Sequence, residues 1–296
     1  MPATPPPDAT PLRLLTVHAH PDDESSKGAP TVAKYRAEGI MSTLVCCTGG
    51  EAGDILNPAM ESPEIRENLA EVRRAELHQA TSIIGYEKVE LLGYHDSGMP
   101  DMPENARPDN FWNAPLDEAV ERLVRIIRRD RPQVIVTYGE DQQHYAHPDH
   151  LKVHEITIPA FERSGDPDWY PDSGEPWQPL KLYYTEWSKN RIVALNDKFL
   201  ELGLESPFGD NWMERIEAMG SDDRITTRVE IADFYEVRER ALIAHATQVD
   251  PNEKFWFGLP TEVARDVHPF DDYVLARSLV DSTVPETDLF AGVPGR

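Results

Sequence analysis

The sequence is poor in cysteine and in positive charge, and it has no long apolar run. Its two cysteines, Cys46 and Cys47, are adjacent within 296 residues, so no disulfide framework can be drawn. Neighbours on a strand point to opposite faces. Joint ligation of one metal by the pair is therefore awkward, and both are expected to be buried small hydrophobes. The missing disulfides fit a reducing compartment, and the expected location is cytoplasmic. No stretch approaches the ~20 apolar residues that span a bilayer. Residues 1–11, MPATPPPDATP, lack the basic and apolar regions of a signal peptide and are expected to form a disordered leader. Basic residues number 29 against 53 acidic ones, a formal charge of −24. Such a field repels phosphate backbones and anionic lipid, so neither nucleic acid nor membrane is an expected partner. There is no internal repeat.

What is present is a core and two bursts of polar chemistry. Apolar runs at 12–18, 41–47, 89–92, 134–138 and 180–185 read as strands. Helical periods at 28–38, 65–84, 116–129 and 151–162 alternate with them. This alternation predicts an α/β fold: a Rossmann-like, mostly parallel sheet flanked by helices. Residues 12–185 are read as the α/β catalytic domain. Residues 186–296 are read as a smaller C-terminal α+β subdomain or lid packed on the same core. In it, 191–202 and 234–246 look helical, 224–231 resembles a strand, and the tail beyond His268 looks irregular. The long loop at 93–114 is of a length that usually has a function.

The first burst, HAHPDDE at 18–24, directly follows the first strand. The second, HYAHPDH at 144–150, follows the fourth. In open α/β sheets, ligands bind beyond the carboxyl ends of the strands, where both bursts fall. Catalytic zinc commonly takes three protein ligands, often two His and one carboxylate, leaving a position for water. His20 and Asp23 can chelate from one turn, and His150 can close the set from across the sheet. Asp22, adjacent to a ligand but diverging from it, suits a general base; the plainer alternative makes Asp22 and Asp23 helix N-terminal acids. Asp149 can fix an imidazole tautomer. His147, carrying positive charge, can stabilise an oxyanion or protonate a leaving amine, and Tyr145 can donate to the same oxyanion. A structural metal site is disfavoured because such sites are usually closed by four ligands, often cysteines.

These two motifs resemble the LmbE/PIG-L family of zinc-dependent N-deacetylases and amidases, and within it the branch that acts on mycothiol. The similar stretches run from about residue 12 to 293 and include HAHPDDESSKG, TGGEAGDILNP, Asp96-Ser97-Gly98, SGEPW with KLYY, and AHATQVDPN. The resemblance implies one Zn(2+) per chain on His20, Asp23 and His150, with Fe(2+) in the cell compatible with the same donors. It implies Asp22 as base, His147 backed by Asp149 at the oxyanion, and Tyr145 as a mobile partner. Glu51, Arg73 and Asp96 match positions that hold a sugar-inositol group, and Lys27 matches a lysine of the amidase branch. The implied reaction is hydrolysis of the cysteinyl-glucosamine amide of a mycothiol S-conjugate, a small-molecule thiol conjugate, to glucosaminyl-inositol and a mercapturic acid. Deacetylation of N-acetylglucosaminyl-inositol uses the same chemistry and stays open, as does a metal-dependent sugar-binding protein without catalysis. A homo-oligomer is compatible with the sequence. The segment Gly139-Glu140-Asp141-Gln142-Gln143-His144 departs from the amidase pattern in lacking a glycine pair. His144 is expected to be exposed, and His245 to be a packed helix histidine.

Overall fold

The computed structural model describes residues 11–140, 146–209, 211–218 and 222–296. Among the described residues, seven strands form one sheet: β1 (Arg13–His18), β2 (Met41–Thr48), β3 (Lys88–Tyr94), β4 (Val134–Tyr138), β5 (Lys181–Glu186), β6 (Thr227–Glu230) and β7 (Phe270–Ser278). Their order is β3-β2-β1-β4-β5-β7-β6. The pairings from β3 to β5 are parallel, whereas β7 is antiparallel to both β5 and β6. The helices are α1 (Asp23–Ser26), α2 (Ala29–Ala37), α3 (Pro63–Glu67), α4 (Leu69–Ile84), α5 (Leu116–Asp130), α6 (Pro148–Arg163), α7 (Lys189–Glu201), α8 (Trp212–Ala218), α9 (Tyr235–Ala244), α10 (Lys254–Phe257) and α11 (Thr261–Val267). None of them is long and apolar enough to cross a membrane.

Continuous apolar strands follow from burial on both faces. Leu15, Val17, Val45 and Ile135 pack with α5 and α6 on one side. Leu14, Val134 and Val136 pack with α2, α7 and α9 on the other. Each fully buried Leu, Val or Ile contributes about 1.5–3 kcal/mol by leaving water. Cys46 and Cys47 fall into different clusters. Both thiols are buried and free, and burial pushes both well above the ordinary thiol range.

The sheet order reverses between β1 and β4. Chains leaving these two strands diverge to opposite sides, which opens a crevice at their carboxyl ends. The crevice is where both polar bursts emerge.

Two expectations are corrected. The chain beyond His268 is not irregular throughout: Phe270–Ser278 forms β7, which joins β5 and β6 to the same sheet, and only 279–296 lacks regular structure. The hydrophobic pattern of β7 is masked by Asp271 and Asp272, which are buried against Arg238 and His268. The single helical period at 65–84 is broken at Asn68 (φ −117°, ψ 22°), whose side-chain amide donates to the Glu64 carbonyl at 2.8 Å. Asn is prone to such local bonds, which compete with helix.

Candidate metal centre and active site

β1 delivers His18 to the crevice. The chain then turns through Pro21 and Asp22 before α1 begins at Asp23. Asp22 has φ 113°, a backbone state that costs of order 1–3 kcal/mol and persists only when its surroundings over-determine it. Here they do. The Asp22 amide donates to Glu24 Oε2 at 2.9 Å. Ser25 and Ser26 amides donate to the Asp22 carbonyl at 3.0 and 3.1 Å. Arg73 donates to the Pro21 carbonyl at 2.6 Å and to Asp22 Oδ2 at 3.2 Å.

The turn brings His20 and Asp23 together with His150 from the first turn of α6, all three buried. Asp23 Oδ2 lies 3.5 Å from His20 Nδ1 and 3.4 Å from His150 Nε2. Tetrahedral zinc with bonds of about 2.0–2.1 Å separates its ligand atoms by about 3.3–3.4 Å. The donor set and its spacing therefore fit such an ion, with two imidazoles and one carboxylate. Burial pushes His150 down to about 4, overriding the pull of Asp23, so its ring is neutral and able to ligate. Burial would raise Asp23, but Lys27 and the two histidines outweigh it and hold the carboxyl well below the usual range.

A second group, His20, Asp96, His147 and Asp149, shares His20 with the first. His20 Nε2 is 3.3 Å from Asp149 Oδ2 and 3.5 Å from Asp96 Oδ1. These carboxylates are already engaged by the protein. Asp149 accepts from the Ser97 amide at 3.0 Å and from the Ser97 hydroxyl. Asp96 accepts from the Gly98 amide at 2.8 Å. They suit the outer partners that orient a ligating imidazole through its far nitrogen. Burial would lower His20, yet Asp96, Asp149 and Asp23 together hold it well above the ordinary histidine range. If Asp149 orients His20, Asp149→Asn weakens metal affinity about 10–100-fold, as a chelator-competition titration will measure.

Asp149 was expected behind His147, but its carboxylate faces Ser97 and His20. What it gives His147 is its backbone amide, donated to Nδ1 at 3.2 Å. That bond leaves the His147 proton on Nε2, 3.8 Å from Asp96 Oδ1. Burial and the neighbouring His20 charge lower His147 below the ordinary range. In its neutral form the ring can donate through Nε2.

The remaining expected residues divide. Asp96 sits at the metal cluster itself; burial would raise it, but His20 lowers it below the usual carboxylate range. Glu51 Oε2 accepts the Asp96 amide at 3.1 Å, and so stands next to the cluster. Arg73 is buried rather than solvated, and it also donates to the Gly50 carbonyl at 2.6 Å. A Cβ at Gly50 would collide with this guanidinium, which accounts for the glycine. Lys27 Nζ lies 2.6 Å from Asp23 Oδ1, on the carboxylate of the triangle. The readings of Tyr145 and His144 lie outside the described residues.

Four features escaped sequence reasoning. Tyr138, ending β4, stacks on His150 with centroids 4.5 Å apart. Its hydroxyl meets His18 Nδ1 and the Ala19 amide, each at 3.2 Å. Ser97 anchors Asp149 from the 93–114 loop. Buried Glu76 accepts from the Thr247 amide and hydroxyl at 2.8 and 2.7 Å, pinning the AHATQ stretch. His245 and Glu24, both fully buried, meet at 2.7 Å beneath Asp22. A tyrosine at a strand end was a usable signal; the others depend on contacts far apart in sequence.

Against opposing burial penalties, Glu24 raises His245 and His245 lowers Glu24. The raised histidine contributes stability that is lost as pH rises through its folded pKa. The lowered glutamate contributes stability that is lost as pH falls through its own. Removing one partner of a buried pair costs about 3–5 kcal/mol, so His245→Ala is expected to lose that much in urea unfolding at neutral pH. His245→Gln, which retains a donor, is expected to lose less.

The sequence profile of the family described as GlcNAc-PI de-N-acetylase (PIG-L) matches residues 15–161. The chain is 48% identical over 293 residues to a mycothiol S-conjugate amidase of Streptomyces coelicolor, covering 95% of this chain and 97% of that protein. It is 37% identical over 294 residues to a 1D-myo-inositol 2-acetamido-2-deoxy-alpha-D-glucopyranoside deacetylase of Streptomyces scabiei, covering 96% and 90%. Among solved structures, N,N'-diacetylchitobiose deacetylase from Pyrococcus horikoshii shares the fold, with a TM-score of 0.61 at 16% identity over 89% of this chain and 83% of that one. The chain belongs to the PIG-L family and is a hydrolase that acts on amides.

Proposed function

We propose that the protein is a zinc-dependent amidase that cleaves the cysteinyl-glucosamine amide of mycothiol S-conjugates, giving glucosaminyl-inositol and a mercapturic acid in a detoxification reaction. The observation that carries the substrate is the 48% identity to a relative named for that activity, against 37% to one named as the deacetylase. The chemistry rests on the triangle of His20, Asp23 and His150 with Asp22 beside it.

His20, Asp23 and His150 would hold the ion, which when bound would lower the pKa of a water to ~7 and polarise a carbonyl. Asp22 takes the proton from the attacking water. Burial raises its carboxyl above the ordinary range; Arg73 pulls it down, and the Asp23 charge adds to the rise. A carboxyl raised in this way can accept a proton and then deliver it to the departing amine. His147 donates through Nε2 to the developing oxyanion, a role that Tyr145 is proposed to share. Arg73 acts through Asp22, and Asp149 through His20. Glu51 and Asp96 are the polar groups nearest the cluster for the sugar-inositol portion. Lys27 orients Asp23 and borders the path of the cysteinyl arm.

Incubation with a fluorescently S-alkylated mycothiol tests the bond that is cut. Chromatography is expected to show the labelled N-acetylcysteine conjugate and glucosaminyl-inositol in equal amounts. Release of acetate with the cysteinyl amide intact contradicts the proposal.

A further inference from the structure

The turn that carries Asp22 is strained, and part of what holds it comes from the far end of the chain. Asp22 has φ 113° and ψ −27°, well beyond the φ of about 50–70° that left-handed residues favour. Among the described residues, no other non-glycine residue has so large a positive φ. The Asp22 amide is held by a side chain, with Glu24 Oε2 accepting it at 2.9 Å. Glu24 is 0% exposed, and a buried carboxylate keeps its place only while its other oxygen is satisfied too. Glu24 Oε1 accepts from the Ser25 hydroxyl at 2.6 Å and meets His245 Nε2 at 2.7 Å. Ser25 belongs to the same turn and moves with it. His245 is the anchor from outside, 221 residues away in sequence.

His245 is itself fixed. It ends α9, its amide donating to the Leu242 carbonyl at 3.0 Å, and α9 packs against α1 and α4. Two residues on, Thr247 is bound through its amide and hydroxyl to Glu76 of α4. Arg73, three residues before Glu76 on the same helix, grips the turn from its other side, at the Pro21 carbonyl and Asp22 Oδ2. The turn is thus held twice. Arg73 takes the Asp22 carboxylate, and Glu24 with His245 takes the Asp22 backbone. Direction matters for a group that removes a proton from water, since a misplacement of about 1 Å can cost about 10²-fold in rate.

We propose that His245 is a positioning residue for the reaction: from a fully buried place behind the turn, it fixes the Asp22 backbone through Glu24 and so aims the carboxylate of the base. The inference rests on the reading of Asp22 as that base. A pair that only stabilised the fold would act without regard to Asp22, and this difference is measurable.

His245→Met keeps length and loses the donor. Loaded with zinc, it is expected to hold metal at the wild-type level and to lose about 10–100-fold in kcat with KM little changed. His245→Gln restores a donor and is expected to recover most of that loss. In the Asp22→Asn background, His245→Met is expected to cost less than about threefold more, because effects that run through one residue do not add. The rate is read on whichever of the S-conjugate and N-acetylglucosaminyl-inositol turns over faster. Hydrogen exchange of the zinc-loaded protein gives a reading without turnover. In His245→Met the Asp22 amide is expected to accelerate at least about tenfold more than the Leu15 and Val17 amides of β1. Glu24→Gln is the second probe should His245→Met not fold. It offers one acceptor oxygen to three donors, so the same loss of kcat and the same dependence on Asp22 are expected. An equal loss of kcat with and without the Asp22 carboxylate overturns the inference and leaves the base reading standing. So does a wild-type kcat in both variants, a loss of kcat that follows loss of metal, or equal acceleration of exchange at all three amides. A wild-type rate in Asp22→Asn removes the base reading itself, and this inference with it.

Discussion

Replacing Asp22 by Asn is expected to lower kcat for amide hydrolysis by about 10²–10⁴-fold, the usual contribution of a positioned base, while bound metal stays at the wild-type level. Asn keeps the shape and an oxygen for Arg73, whose Nη2 sits 3.2 Å from Asp22 Oδ2, so the turn at φ 113° has no reason to change. KM is expected to move little, because the lost interaction belongs to the transition state. The pH profile carries a second signature. Activity rises as pH climbs through the Asp22 pKa, so this group sets the acid limb. Arg73 holds that pKa down; Arg73→Met is therefore expected to move the acid limb to higher pH. Steady-state kinetics with metal analysis on the same samples checks both. A wild-type rate in Asp22→Asn removes the assigned base.

His150→Ala is expected to reduce bound metal to less than about a tenth of an equivalent and kcat/KM by at least about 10⁴-fold, because a three-ligand site has none to spare and the activated water is lost with the ion. This variant leaves the Asp23–Lys27 contact of 2.6 Å in place, so the turn keeps its support. The competing cluster predicts the opposite pattern. If Asp96, His147 and Asp149 held the ion with His20, His150→Ala would retain metal and His147→Ala would lose it. Elemental analysis of the two variants after identical loading separates the arrangements.

The sheet from β1 to β5 was legible because strands buried on both faces read as continuous apolar runs. The two bursts were legible because ligating side chains cluster where such strands end. The sequence could not show that Asp96 and Ser97, held in a long loop, reach the cluster. Nor could it show that Asp149 turns toward His20 and Ser97 instead of His147, which depends on how α6 docks. Nor could it show that Arg73 is held inside the fold, because its partners, the Pro21 and Gly50 carbonyls, are backbone groups without a side-chain signature. β7 was missed because its two aspartates resemble loop until Arg238 and His268 are brought against them. The Glu24–His245 pair spans most of the chain, and only the folded contact of α9 with α1 brings it together.

The central claim is tested most directly by measuring kcat/KM of the zinc-loaded protein for a mycothiol S-conjugate and for N-acetylglucosaminyl-inositol under identical conditions. The account predicts a preference of at least about tenfold for the S-conjugate, a difference in transition-state binding of about 1.4 kcal/mol or more. Faster turnover of N-acetylglucosaminyl-inositol would contradict it and make the protein a deacetylase.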